Sequence, residues 1–206
     1  MSDAQLERPL RIGVFGGAFD PPHVGHVALA RAAVDQLRLD QLLIFPTGQA
    51  WHKARALSAA EHRLAMAGLA FDDVPRASVD GRELRRAGPT YTVDTLRELR
   101  GEYPGAHLLL VIGADQAEAL HSWRESAEIG HLATISIAAR ARPAGSAGEF
   151  DASNLPVSRL EPLELPPMPV SATQVRALVA DRKGIEHLVP AAVARYIEQH
   201  FLYQNT

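Results

Sequence analysis

The sequence predicts an α/β fold: a parallel sheet wrapped by helices, with a short helical C-terminal part. Three observations carry that reading. Short apolar runs alternate with segments of helical periodicity. Glycine- or proline-containing turns follow the runs. After a proline-rich stretch, the last forty residues show only helical patterns. At a typical ~150 residues per domain, the 206 residues suit one unit with an appendage. The α/β domain is expected over 10–165 and the helical part over 166–206, packed as one continuous functional domain.

The first strand is read at Leu10–Phe15, ended by Gly16-Gly17, and Asp20-Pro21-Pro22 is a turn. From about Val24, apolar residues at Val27, Ala30, Val34 and Leu37 predict a helix. Leu42–Phe45 is the second strand, ended by Pro46, and Thr47–Leu57 is irregular. Ser58-Ala59-Ala60-Glu61 has the form of a capping box, which starts a helix running to about Ala70. Arg76–Val79 is a short strand, and Val93, Leu96, Leu99 and Tyr103 mark a helix. His107–Gly113 is the clearest strand, followed by another at Thr134–Ala138. Arg140–Leu155 reads as a flexible loop and Pro162–Pro169 as an extended connector. A second capping box, Ser171-Ala172-Thr173-Gln174, opens a helix with Val175, Leu178 and Val179 as its stripe. Pro190 opens the last helix, which turns Val193, Tyr196 and Ile197 inward.

Composition removes several classes of function. With no cysteine, thiol nucleophiles, disulfide scaffolds, iron–sulfur clusters and Cys-ligated zinc are excluded. A net charge of −3 argues against gripping nucleic acid by bulk charge. Apolar residues at 47% exclude a disordered chain. Met1–Pro9 has no apolar core of a signal peptide, and the longest apolar run, Leu108–Ala114, is far short of the ~20 residues that span a bilayer. A cytoplasmic protein without a membrane partner is expected.

In a parallel α/β sheet, ligands bind outside the carboxyl ends of the strands. The densest cluster there is Gly16-Gly17-Ala18-Phe19-Asp20-Pro21-Pro22-His23-Val24-Gly25-His26. Glycines allow close approach of the backbone to a ligand, and a helix N-terminus favours phosphate. His23 and His26, three apart, can face one point, while Gly25 leaves room for a flat group. As metal ligands they are only two, with no third apparent, so no protein-held metal is expected. G-x-G-x-x-G and the P-loop pattern are both absent from this turn. Ser171, Thr173 and Arg176 form a second helix N-terminus suited to anions; taken alone, it is an ordinary capped helix. Two such termini in one small chain suit the two ends of a polyphosphate.

Gly16-Gly17-x-Phe19-Asp20-Pro21-x-His23-x-Gly25-His26, paired with Ser171-x-Thr173-x-x-Arg176, resembles the HxGH nucleotidyltransferase superfamily. Within it, the chain is similar to bacterial nicotinate-nucleotide adenylyltransferases. Glu61-His62-Arg63-Leu64-Ala65-Met66, Tyr91-Thr92-Val93-Asp94-Thr95-Leu96, Ile112-Gly113-Ala114-Asp115 with Trp123, and Leu188-Val189-Pro190 with Tyr196-Ile197 add to the match, which runs from about Arg11 to Tyr203. The resemblance implies a Rossmann-like sheet and a reaction. ATP and nicotinate mononucleotide would give deamido-NAD and pyrophosphate, with Mg²⁺ accompanying ATP.

It also implies roles. His23, His26, Lys53 and Arg176 would be catalytic. Gly16, Gly17, Phe19, His23, Gly25, His26, Ser171, Thr173 and Arg176 would bind ATP. Phe15, Gly16, Lys53, Thr92, Asp115, Trp123 and Arg124 would bind the mononucleotide. Lys53 reads almost equally as a solvated loop lysine, Asp115 as a helix cap and Trp123 as a core residue. Four positions depart from the common pattern: Ala18, Ala172, Ala50-Trp51 before His52-Lys53, and Arg124, where relatives often carry Tyr. Rival readings are adenylyl transfer to nicotinamide mononucleotide or phosphopantetheine, a cytidylyltransferase, and a non-catalytic nucleotide-binding module. Homo-oligomerisation is left open.

Overall fold

A computed structural model describes residues 8–49, 56–140 and 159–204. Six strands form one parallel sheet in the order β3-β2-β1-β4-β5-β6: β1 Arg11–Gly17, β2 Gln41–Pro46, β3 Ala77–Val79, β4 His107–Gly113, β5 Thr134–Arg140 and β6 Leu160–Leu165. Chain order reverses between β1 and β4, which opens a crevice above their carboxyl ends.

Both faces of the sheet are covered, which explains the unbroken apolar run of β4. Leu109 and Val111 face one layer with α1 (Val24–Gln36), α2 (Ala60–Phe71), α7 (Ala172–Ala180) and α8 (Ala191–Gln199). Leu108, Leu110 and Ile112 face the other, with α4 (Thr92–Glu102), α5 (Ala114–Glu118) and α6 (Ser126–Leu132). The alternation of period two is that of a strand buried on both sides. Among the described residues no helix is long and apolar enough to cross a membrane.

Four expectations need correction. The first strand does not stop at the glycines, because Gly16 and Gly17 stay in register with Phe45 and Pro46 of β2. Ser58 does not cap α2. The N-cap is Ala59, while the Ser58 amide donates to Asp20 and its carbonyl accepts from Arg63. Half of the Pro162–Pro169 connector is strand β6. The Ile135 amide donates to the Arg159 carbonyl, so 159, 161 and 163 bond towards β5 while 160, 162 and 164 face outwards. Pro162 therefore lacks its donor on the open edge, where no ladder needs one. Of the expected 140–155 loop, 141–155 lies outside the described residues, and Arg140 ends β5. The helices α3 (Arg82–Arg85), α5 and α6 and a 3-10 turn at Leu120–Ser122 add to the predicted set.

The open edge is closed by a side chain. Gln36 of α1 donates from Nε2 to the Glu164 carbonyl at 2.8 Å and accepts from the Glu164 amide at 2.9 Å. The Ser171 box is half realised: its hydroxyl accepts from the Gln174 amide at 3.1 Å.

The C-terminal helices reach the first layer through Val175, Val193 and Ile197. Ile197→Ala, at a side chain only 2% exposed, is expected to cost about 2–5 kcal/mol in urea denaturation. Leu10→Ser, at a side chain 55% exposed, should stay within about 0.5 kcal/mol.

Candidate active site

The crevice above β1 and β4 widens into a cavity of about 800 Å³. Three helices open on it. The N-terminus of α1 brings His23, Gly25 and His26, that of α4 brings Thr92, and that of α7 brings Ser171 and Thr173. The Ser171 hydroxyl occupies the third amide of α7, while the amides of Ala172 and Thr173 have no partner within the helix. Positive dipole ends therefore line part of a space whose walls also carry Asp20, Glu83, Asp115, Arg124 and Arg176.

His23 is the N-cap of α1 and His26 lies three residues on. Their rings stack at 3.7 Å, tilted by 25°. The His23 amide donates to His26 Nδ1 at 3.1 Å. In a neutral ring that bond puts the His26 proton on Nε2, the remaining donor. His23 Nδ1 is buried with no hydrogen-bond partner among the described residues. Burial pulls the His23 imidazole down to about 4, so it is neutral at pH 7.

The backbone under these rings is shaped by aromatic packing. Phe19 takes a positive φ of 46° and sets its buried ring edge-on to His26 at 5.2 Å. A Cβ on Gly17 would strike that ring, so glycine is needed there. Phe15, also buried, meets Phe19 edge-on at 5.5 Å. A Cβ on Gly25 would press on both the His23 ring and Val170, so its absence lets the segment before α7 pass close to α1.

Arg176 crosses from α7 to the first loop. Its Nη1 donates to the Asp20 carbonyl at 2.7 Å and its Nη2 to the Thr173 hydroxyl at 3.1 Å. On the far wall, Trp123 is partly buried against the second layer, and the Arg124 guanidinium lies over the Tyr91 ring at 4.6 Å. Asp115 is exposed in the first turn of α5, where Gly113 is the N-cap and no side chain caps the helix. The cap alternative for Asp115 is therefore not realised.

Apart from Lys53, every sequence-predicted site residue lines this one cavity: Phe15, Gly16, Gly17, Phe19, His23, Gly25, His26, Thr92, Asp115, Trp123, Arg124, Ser171, Thr173 and Arg176. Lys53 lies outside the described residues, as does the Ala50-Trp51 departure.

Sequence reasoning assigned no role to the groups that hold the first loop. Arg63, 3% exposed, donates to the carbonyls of Thr47 at 2.6 Å, Ser58 at 3.0 Å and Ala18 at 3.1 Å. Its signal was its position: with Met66, Ala67 and Ala70 it falls on the buried stripe of α2. Asp20, 2% exposed, accepts from the Tyr203 hydroxyl at 2.7 Å and from the Ser58 amide at 3.2 Å. No local pattern could have paired positions 20 and 203.

A family model described as cytidylyltransferase-like matches residues 14–178, and fold and site together define a nucleotidyltransferase of that class. A protein of Albidiferax ferrireducens carrying the name "probable nicotinate-nucleotide adenylyltransferase" is 53% identical over 95% of this chain and 98% of its own. A protein of the same name from Methylibium petroleiphilum is 42% identical over 94% and 92%. The chain belongs to the nicotinate-nucleotide adenylyltransferase family. The solved Plasmodium falciparum nicotinic acid mononucleotide adenylyltransferase complexed with NaAD shares the fold, with a TM-score of 0.78 at 17% identity over 94% of this chain and 97% of that one.

Two measurements test the site's construction. Arg63→Met leaves four carbonyls, that of Gly48 included, without their charged donor and should cost at least about 3 kcal/mol in urea denaturation. By NMR titration, the His23 imidazole should protonate near pH 4. Because the unfolded ring takes its proton near 6.5, this group's contribution to stability is full above pH 6.5 and is lost as pH falls towards 4.

Proposed function

We propose that this chain transfers the adenylyl group of ATP to nicotinate mononucleotide, releasing pyrophosphate and forming deamido-NAD in NAD biosynthesis. The observation that carries the reading is the stacked His23–His26 pair at the head of α1, facing the same cavity as the N-terminus of α7 and Arg176. One end suits an α-phosphate and the other a departing pyrophosphate.

The nucleophile is the 5′-phosphate of the mononucleotide. Its second pKa is near ~6, so at neutral pH it is mostly dianionic and needs no general base. Catalysis then rests on alignment and on donors aimed at the charge that develops on the phosphoryl oxygens. His26 donates from Nε2 to the α-phosphate, and His23 contributes its ring beside it. The Gly16 and Gly17 amides and the α1 N-terminus hold the same region, with Phe19 and Gly25 shaping it. Ser171, Thr173 and Arg176 hold the β- and γ-phosphates. Lys53 supplies a further cation.

The pyridine ring stacks on Trp123, where cation–π attraction contributes about 0.5–2 kcal/mol. Backbone amides at Thr92 and Arg124 take its carboxylate, Asp115 the ribose hydroxyls, and Phe15 and Gly16 form the floor. Mg²⁺ enters as part of the ATP substrate. Among the described residues there is no cluster of three acidic or imidazole groups that could hold a metal ion. In this reading residues 10–165 and 166–206 act as one functional unit in the cytoplasm. The bond from Arg176 to the Asp20 carbonyl supports that unity.

The decisive assay is pyrophosphate release from ATP with three acceptors: nicotinate mononucleotide, nicotinamide mononucleotide and phosphopantetheine. Turnover should be fastest with the first, and a preference for phosphopantetheine would overturn the reading. His26→Ala should lower kcat by at least ~10²-fold, the scale of losing one transition-state donor. Trp123→Ala should raise KM for the mononucleotide much more than KM for ATP. A rise confined to ATP would move the pyridine pocket elsewhere.

A further inference from the structure

Glu83 is a buried carboxyl to which the proposed mechanism gives no part. It sits in the four-residue helix α3, is 5% exposed, and lines the same cavity as Tyr91, Thr92 and Trp123. The Thr95 hydroxyl donates to its Oε1 at 2.6 Å, and Arg86 Nη1 donates to that hydroxyl at 2.8 Å. Among the described residues no other hydrogen bond reaches the carboxyl. Glycine at 48 allows this packing, because a Cβ there would collide with the Glu83 carbonyl and the Thr90 hydroxyl.

Among the described residues, the charges that act most on Glu83 are Arg86 just past α3, Glu98 from α4 and Asp80 ahead of α3, with Arg82 and Arg85 on α3 itself. Arg86 pairs with Glu98 at 2.7 Å, and Asp80 is held by Arg82 at 2.8 Å. Arg86 is thus shared with another carboxylate. Burial outweighs the single hydrogen bond and lifts the carboxyl to about 7.

The two pyridine acceptors differ in charge. Both carry a cationic ring, but the acid form also carries a carboxylate, whereas the amide form is neutral at that position. A protonated carboxyl can donate to a carboxylate and does not repel it. An ionised one repels that carboxylate and attracts the uncompensated ring.

We propose that Glu83 is a specificity-determining residue, which admits the acid mononucleotide when protonated and turns the preference towards the amide when ionised. The proposal rests on the adenylyltransferase reading given above and adds to it the group that discriminates between the two acceptors. Thr95 is a positioning residue, because its hydroxyl bond favours the ionised form of Glu83.

The test is the ratio of kcat/KM for the acid over the amide mononucleotide between pH 6 and 8.5, in the wild-type enzyme, Glu83→Gln and Thr95→Val. The phosphate of the two acceptors titrates alike and cancels in the ratio. The wild-type ratio should fall on the order of tenfold between pH 7 and 8.5, the scale of a one-proton transition. In Glu83→Gln it should be flat, and in Thr95→Val the fall should move to higher pH. A role that was only structural would change overall turnover or stability and leave the pH dependence of the ratio intact. A flat wild-type ratio, or the same fall in Glu83→Gln, overturns the proposal while leaving the adenylyltransferase reading in place. Turnover of neither pyridine acceptor overturns both. The wild-type profile needs no variant to fold.

Discussion

The buried carboxylate of Asp20 gathers chain segments that are remote in sequence. It accepts from the Tyr203 hydroxyl, 183 positions away, and from the Ser58 amide that leads into α2. Its own carbonyl holds Arg176, 156 positions away. Arg63 lies close enough for its charge to be felt and secures the surrounding carbonyls. A buried carboxylate is costly unless it is paired and hydrogen-bonded, so the loop between β1 and α1 tolerates this one when the segment leading into α2 and the C-terminal turn are in place, while α7 fixes the main chain of the same residue. The amide of Val24, second residue past the turn prolines, adds a further tie by donating to the Leu188 carbonyl at 2.9 Å. The histidine pair is thus placed both by packing within its own motif and by ties to segments far from it.

The chain carries a net charge of −3, yet three helix N-termini open on its cavity. The reconciliation is local. Three helix N-termini and the guanidiniums of Arg124 and Arg176 meet in one crevice, while acids outside it are paired, as with Asp80 on Arg82 and Glu125 on Arg97. Dipoles fixed by the fold need no reorganisation when charge moves in a reaction. A neutral His23 fits the same logic, because it is a polar group that does not have to shed a tightly held proton before a ligand arrives.

Legibility followed the range of the interactions. β4 could be read from the sequence to the residue because burial on both faces leaves a continuous apolar run, and α1 because its inward face repeats over more than three turns. Helices α3, α5 and α6 span two turns or fewer, too short for a period to show. β6 was hidden because proline marks connectors as well as edge strands. In the site, Gly16 to His26 and Ser171 to Arg176 are contiguous and stood out. Asp20 with Tyr203, and Glu83 with Thr95, exist only once the chain has folded. Arg63 was the partial case: a cation on an apolar stripe was visible, but its carbonyl partners were not.

The clasp between Gln36 and Glu164 bears on behaviour at high concentration. An exposed outer strand of a sheet is a template on which another copy can add its own strand, the first step towards aggregation. Here the amide of Gln36 satisfies both main-chain groups of Glu164, and the outward-facing Pro162 has no N–H to offer. The opposite border, β3, is only three residues long. Among the described residues the sheet therefore has two ends but no extended row of unmet hydrogen-bonding groups, a way for an open parallel sheet to limit edge-to-edge pairing without closing into a barrel.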